Sequence, residues 1–382
     1  MLEEKDFASI SPYTDEEAVE ALKRVAKSPV LPEISNFLFP GEPLNRFHKL
    51  LKGISSIDEF QEVVMSQVVS TALQRGSSGF SYDGMQYLQK DKTFLAVSNH
   101  RDIILDPALV QWAFFHNQLP MTEICVGSNL LESNKLVADL LRSNRMIKVI
   151  RGISAREMYL SSKALSEYIR DAVSSNRSSV WIAQREGRTK NGLDKTEQGL
   201  LKMFDMSGNK NFTENFMELN ITPMSISYEY EPCDIKKARE VLISREKKYV
   251  KRRNEDLHSI TTGISQWKGG IHLSIDKPLT REEIEMASIC SKNDRYQSIR
   301  RTLDLRIIRS YKLWKTNYMG YDLMTSGNKY SSLYTAEDLS KFIEYTEHKL
   351  NRVEKRLDRN ELRQIFWEIY GNPVKAKEED FE

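Results

Sequence analysis

From Lys92 to Tyr228, short apolar β-rich runs alternate with helical patterns, and this alternation constrains the fold more than any other feature of the chain. Strand-like runs fall at 93–97, 124–126, 146–150, 179–183 and 221–228, with helical patterns from about 107, around 136–141 and over 155–174 between them. Strands that alternate with helices form parallel sheets, because neighbouring parallel strands need a crossover and a helix supplies it. The expected fold is α/β, a mostly parallel mixed sheet flanked by helices, with an N-terminal helical segment and a helical C-terminal extension. The N-terminal segment, 1–80, contains an amphipathic pattern behind Asp15-Glu-Glu17 and a capping-box opening at Ser56-Ile-Asp-Glu59, and it breaks at Gly76-Ser-Ser-Gly79. The α/β domain is placed at 81–280, including a further strand over 269–275, and the charged helical patterns at 281–290, 296–314 and 335–371 make the extension 281–382.

Composition narrows the functional classes. With 56 basic and 54 acidic residues the net charge is +2, so no global field draws the chain to nucleic acid, and no nucleic-acid partner is expected. Cys125, Cys233 and Cys290 are far apart and form no CxxC pair, which argues against a disulfide framework or a structural zinc, and no metal site is expected. The opening Met1-Leu-Glu-Glu-Lys-Asp has no basic region followed by an apolar one, and no run of about 18 uncharged apolar residues occurs. A cytoplasmic protein is expected, peripheral on the inner face of the cytoplasmic membrane.

The run Phe94-Leu-Ala-Val-Ser98 ends in Asn99-His100-Arg101-Asp102, followed by Ile103-Ile-Leu-Asp106-Pro107. A histidine and two carboxylates at a strand's carboxyl end suit general-base chemistry, one carboxylate fixing the tautomer of the base. The plainer alternative makes His100 a structural residue and Asp102 the cap of the next helix. A second strand, Ser179-Val-Trp-Ile-Ala183, runs into Gln184-Arg-Glu186-Gly187-Arg188-Thr-Lys190, a Gly- and Arg-rich turn suited to anions; a solvated basic loop is the alternative. A third run, Met146-Ile-Lys-Val-Ile150, ends at Arg151-Gly152, and a fourth, Ile221-Thr-Pro223-Met224, carries a proline near its start.

In this order the four blocks resemble the glycerolipid acyltransferase family, which includes lysophosphatidic acid and glycerol-3-phosphate acyltransferases; the likeness covers roughly 80–280. The resemblance implies His100 as general base, oriented by an aspartate, with no enzyme nucleophile, consistent with the absence of a G-x-S-x-G motif. Where the family has four residues between His and Asp, five separate His100 from Asp106 and one separates it from Asp102; Asp106 is the expected partner and Asp102 the alternative. The family's Glu-Gly-Thr-Arg stands here as Glu186-Gly187-Arg188-Thr189, moving the arginine by one position, with Arg185 and Lys190 as possible substitutes.

On this likeness Arg151, Arg188 and Lys190 hold an acceptor phosphate, Glu186 orients them, and backbone N–H groups near Glu186-Gly187 receive the oxyanion. The acyl donor is acyl-CoA or an acyl carrier protein thioester, with no other cofactor. The acceptor is lysophosphatidic acid or a related glycerol phosphate, with a lyso-amino-acid lipid, or an inactive lipid-binding protein on the same fold, as alternatives. The apolar entrance is expected at Trp112-Ala-Phe-Phe115 and Leu130-Leu131. A phospholipid membrane surface, or an acidic carrier protein, is expected to meet the basic stretch 235–254 through Lys236, Lys237, Arg239, Arg245, Lys247, Lys248, Lys251, Arg252 and Arg253. A solvated helix face is the plainer reading of that stretch.

Overall fold

The structure, a computed structural model, describes residues 7–381 except 30, 40, 42, 133, 134 and 151–153. Among the described residues seven strands form one sheet: β1 (Gly79–Asp83), β2 (Leu95–Ser98), β3 (Glu123–Gly127), β4 (Met146–Val149), β5 (Val180–Ala183), β6 (Ile221–Tyr228) and β7 (Gly270–Ile275). Their spatial order is β1-β7-β6-β2-β5-β3-β4. From β6 to β4 every pairing is parallel; β7 runs antiparallel to β6 and parallel to β1, so the sheet is mixed, as expected.

Successive strand residues point to opposite faces, and here both faces are covered. Leu95, Val97, Val180, Ile182 and Ile221 enter a core with the helix Ala155–Ser174, while Ala96, Trp181 and Met224 enter a second core with Val110, Ala113 and Phe114 of the helix Leu105–His116. The first of these cores also holds Ile284, Ala287, Ile299 and Leu303, from the helices Arg281–Ser288 and Asp294–Ser310. The expected boundary at 281 therefore passes through a shared core. A separate core forms further on, where the helices Lys315–Thr325, Ala336–Leu350 and Arg359–Phe381 pack Met319, Phe342 and Phe366 around Ile235 and Leu242 of the helix Asp234–Glu246.

The N-terminal segment has its own core, built from Leu22, Val25, Phe47, Leu51, Phe60 and Val64. Its last helix, Ser66–Gly76, seats Val69 and Ala72 against Leu105, Leu109 and Ile226. The stretch Phe60–Met65 is a π-helix, a conformation that the capping box before it does not announce. No helix among the described residues is long and apolar enough to cross a membrane.

Candidate active site

Because β2 and β5 are parallel neighbours with Ser98 opposite Ala183, the loops leaving their carboxyl ends emerge side by side. The pairing continues beyond the strands: Gln184 N–H donates to Ser98 O, and Thr189 N–H to His100 O, each at 2.8 Å. Asn99 ties the first loop to β6, its side chain donating to Ile226 O at 3.0 Å and accepting from Ile226 N–H at 2.8 Å. His100 and the turn 185–190 thus meet at the sheet's centre, where ligands of such folds collect.

The two aspartates take different positions. Asp106, in the first turn of its helix, places Oδ2 2.8 Å from His100 Nδ1, and the same oxygen accepts from the N–H groups of Arg101 (2.6 Å) and Asp102 (2.8 Å). Its other oxygen accepts from the Tyr228 hydroxyl at 2.7 Å. Asp106 is thus an acceptor on both oxygens, so Nδ1 carries the proton between them and Nε2 is left as the basic nitrogen. Asp102 instead holds the turn ahead of the helix: its Oδ1 accepts from Ile104 N–H at 3.0 Å and from Leu105 N–H, the first of the helix, at 2.9 Å. Asp102 Oδ2 has no hydrogen-bond partner, and burial, with Asp106 nearby, pushes this carboxyl up. The helix Glu255–Ser265 lies so close that a Cβ on Gly263 would stand 2.0 Å from that oxygen. The extra residue in the His–Asp spacing is absorbed ahead of the helix without separating His100 from Asp106.

The His100 ring, 14% exposed, meets the Trp181 indole edge-on at 5.8 Å and lines a cleft of about 460 Å³. Arg185, Glu186, Gly187, Arg188 and Lys190 line the same cleft. Gly187 turns the chain at φ +71°, a conformation that favours glycine. Arg188 is buried with Nη1 unpartnered, and Arg185 Nε likewise lacks a partner. Lys190 pairs with Glu240 at 2.6 Å. Glu186 is exposed, and its N–H, expected near the oxyanion, donates to Glu197 Oε2 at 3.2 Å. Arg151 lies outside the described residues. Among the described residues no three His, Cys, Asp or Glu gather as a metal site.

Two further cavities adjoin the cleft, the first of them apolar. One shares Ile104, Pro107, Ile124 and Met146 with it and is walled by Val69, Trp112 and Phe115, with Gln61 and Met65 of the π-helix. The other shares Cys125, Ala183, Arg185, Glu186 and Glu197 with it and runs between Leu165, Ile182 and Met203 towards Met158. Of the entrance residues expected from sequence, Trp112 and Phe115 line the first cavity and Leu130 the cleft. Lys251, Asp256 and Asn129, which sequence reading did not place at the site, close one rim: Lys251 pairs with Asp256 at 2.7 Å, and Asn129 donates to Asp256 at 2.9 Å. Tyr228 was missed as well; its place at the end of a strand beside β2 is the one signal for it.

Residues 79–229 match the family model described as Acyltransferase. Over those residues the chain is similar to the acyltransferase family. No curated protein matches the chain in sequence. Among solved structures, the 1-acyl-sn-glycerophosphate (LPA) acyltransferase of Thermotoga maritima is similar, with a TM-score of 0.42 and 11% identity over 79% of this chain and 98% of that one. The matched residues run from β1 to just past β6, and the cleft's remaining wall, with Glu240, Lys251 and Asp256, comes from the chain beyond them.

A buried charge cluster joins the domain to the helix Asp234–Glu246 beyond it. Arg101 pairs with Asp194 at 2.6 Å and Glu231 at 3.3 Å, and Lys237 donates to Glu231 at 2.5 Å and to Arg101 O at 2.7 Å. The burial of Lys237 removes it from the expected membrane-facing set, because an amine 1% exposed cannot reach a bilayer. Others of that set are engaged within the protein: Lys236 with His258 O and Thr262, Arg239 and Arg252 with Glu354, Arg245 with Glu361 and Glu368, Lys251 with Asp256. Lys247, Lys248 and Arg253 remain exposed, flanking Val250 (76% exposed) and Leu257 (45%).

Proposed function

We propose that the protein transfers a fatty acyl group from acyl-CoA or an acyl carrier protein thioester to the hydroxyl of lysophosphatidic acid or a related glycerol phosphate. One observation carries the reading: His100, its Nδ1 fixed on Asp106, faces a cleft that joins a buried arginine with Nη1 unpartnered to two cavities, one of them apolar. His100 Nε2 takes the proton of the acceptor hydroxyl as its oxygen attacks the thioester carbonyl. The tetrahedral intermediate expels the thiolate, which recovers the proton from the imidazolium, leaving the ester and a thiol. Arg188 and Lys190 hold the phosphate, whose oxygens match a guanidinium fork, and the cavities receive acyl chains.

The test is turnover by purified protein of lysophosphatidic acid, glycerol 3-phosphate and a lyso-amino-acid lipid, each with both donors. Turnover of a phosphate-bearing acceptor is expected; no transfer to any of them overturns the reading, and preference for the amino-acid lipid transfers it to that acceptor. A pH effect belongs to the same experiment. Burial, reinforced by Arg188 and opposed by Glu240, holds the Lys190 amine down to about 8, so its charge is present below that pH and lost above it. The phosphate acceptor's KM is therefore expected to climb as pH rises through about 8 in the wild type and to stay level in Lys190→Met. A climb of equal size in Lys190→Met excludes the lysine from phosphate binding.

Peripheral binding to the inner face of the cytoplasmic membrane belongs to this reading, through the exposed Lys247, Lys248, Arg253, Val250 and Leu257, chain neighbours of Lys251 and Asp256 in the cleft wall. Vesicles containing anionic lipid are expected to sediment the protein well at about 0.05 M salt and poorly at about 0.5 M, as the screening length falls from roughly 14 Å to about 4 Å. Reversing Lys247, Lys248 and Arg253 to Glu should remove most of the low-salt binding and spare turnover of detergent-dispersed substrate. Full vesicle binding by that variant would leave the stretch a solvated surface.

A further inference from the structure

Asp106 is the acceptor for two side chains at once. Oδ2 faces His100, and Oδ1 faces Tyr228, whose hydroxyl stands at 2.7 Å. Tyr228 is 1% exposed, at the carboxyl end of β6, and packs among Val69, Ala72, Leu105, Leu109 and Ile271. It does not line the cleft, so it meets no substrate and reaches the chemistry only through Asp106.

We propose that Tyr228 is a positioning residue that sets the basicity of His100 through Asp106. This rests on the reading of His100 as general base. A hydrogen bond to Oδ1 draws negative charge away from Oδ2, which weakens the pull of the carboxylate on the Nδ1 proton and destabilises the imidazolium. The imidazole is thereby kept neutral, and able to accept a proton, to lower pH than with an otherwise identical Asp106 lacking the tyrosine. Burial and the neighbouring Asp106 push the Tyr228 hydroxyl well above its usual range, so it stays a donor at every pH at which the enzyme would be assayed.

The other charged groups around the pair are fixed in the comparison. They are Asp102 and Arg101 on the His100 loop, Arg188 and Lys190 on the turn opposite, Asp194, Glu231 and Lys237 in the buried cluster, and Lys268 ahead of β7. Removing one hydroxyl changes none of them.

The experiment is an NMR titration of the imidazoles, six in the chain, with His100 assigned by the signal lost in His100→Gln. Tyr228→Phe is expected to raise the His100 pKa by about 0.5–1 unit, and the acid limb of kcat/KM by the same amount, with both substrate KM values nearly unchanged. Incorporating 3-fluorotyrosine at 228, a stronger donor of nearly the same size, should move the His100 pKa down, which keeps the test decisive if the Phe variant does not fold. A His100 pKa within about 0.2 unit of wild type in the fluorotyrosine protein overturns the inference. The titration needs no turnover, so a moving pKa in a protein without acyl transfer supports the coupling while the reading of the reaction fails.

Discussion

His100→Ala is expected to reduce acyl transfer by roughly 10²–10⁴-fold without unfolding the protein, because on the proposed mechanism it removes the group that takes the acceptor's proton. The fold is expected to survive because Asp106 keeps three of its donors, the N–H groups of Arg101 and Asp102 and the Tyr228 hydroxyl. Asp106→Asn should lower turnover more than Asp102→Asn, since an amide turns an N–H₂ towards donors or loses the pairing with Nδ1, whereas Asp102 only closes a helix start. Steady-state rates beside circular dichroism of each variant check this. His100→Ala within about threefold of wild type would remove the general base from the mechanism.

The largest stability effect is expected at Lys237. Arg101, Asp194, Glu231 and Lys237, all 5% exposed or less at the side chain, form two positive and two negative charges with no net excess. Lys237→Met removes one cation and leaves Glu231 with Arg101 alone at 3.3 Å, a break that costs about 3–5 kcal/mol in buried pairs. The double variant Lys237→Met with Glu231→Gln restores the balance, leaving Arg101 on Asp194, and is expected to regain a large part of the loss. Urea unfolding of the two variants beside wild type measures both steps. A double variant no more stable than Lys237→Met would show that the methylene packing of the lysine, and not its charge, holds the cluster.

Much of the sheet was legible because its inner strands are buried on both faces, and such strands are written as unbroken apolar runs. Leu95-Ala-Val and Val180-Trp-Ile have almost no other way to be satisfied. β1 was not legible. Gly79-Phe-Ser-Tyr-Asp83 is an edge strand with alternating half-buried and exposed positions, preceded by Gly-Ser-Ser, and it reads as the turn that ends the helix before it.

At the site, the order of the motifs brought His100 and the 185–190 turn to the same place, yet spacing alone left two aspartates in competition. What separates them is where the helix starts: Asp102, three residues before it, meets the backbone N–H groups of the turn, and Asp106, in its first turn, faces the histidine. Lys237 was misplaced for the opposite reason. Within a run of lysines and arginines nothing local marks one of them as interior; its partner Arg101 O is 136 positions away.

The loop that carries Arg188 is held from far along the chain. Asn191 O accepts from Asn372 on the helix Arg359–Phe381, 181 positions later, and β1 finds β7 at a similar remove, with Ser81 meeting His272 191 positions on. A ribosome adds about 5–20 residues per second, so roughly 10–40 s pass between the emergence of the loop and that of its brace. For that interval the nascent chain carries the 185–190 turn without the helix that braces its far end. On the proposed function, the site is therefore complete only once the last helix has left the ribosome.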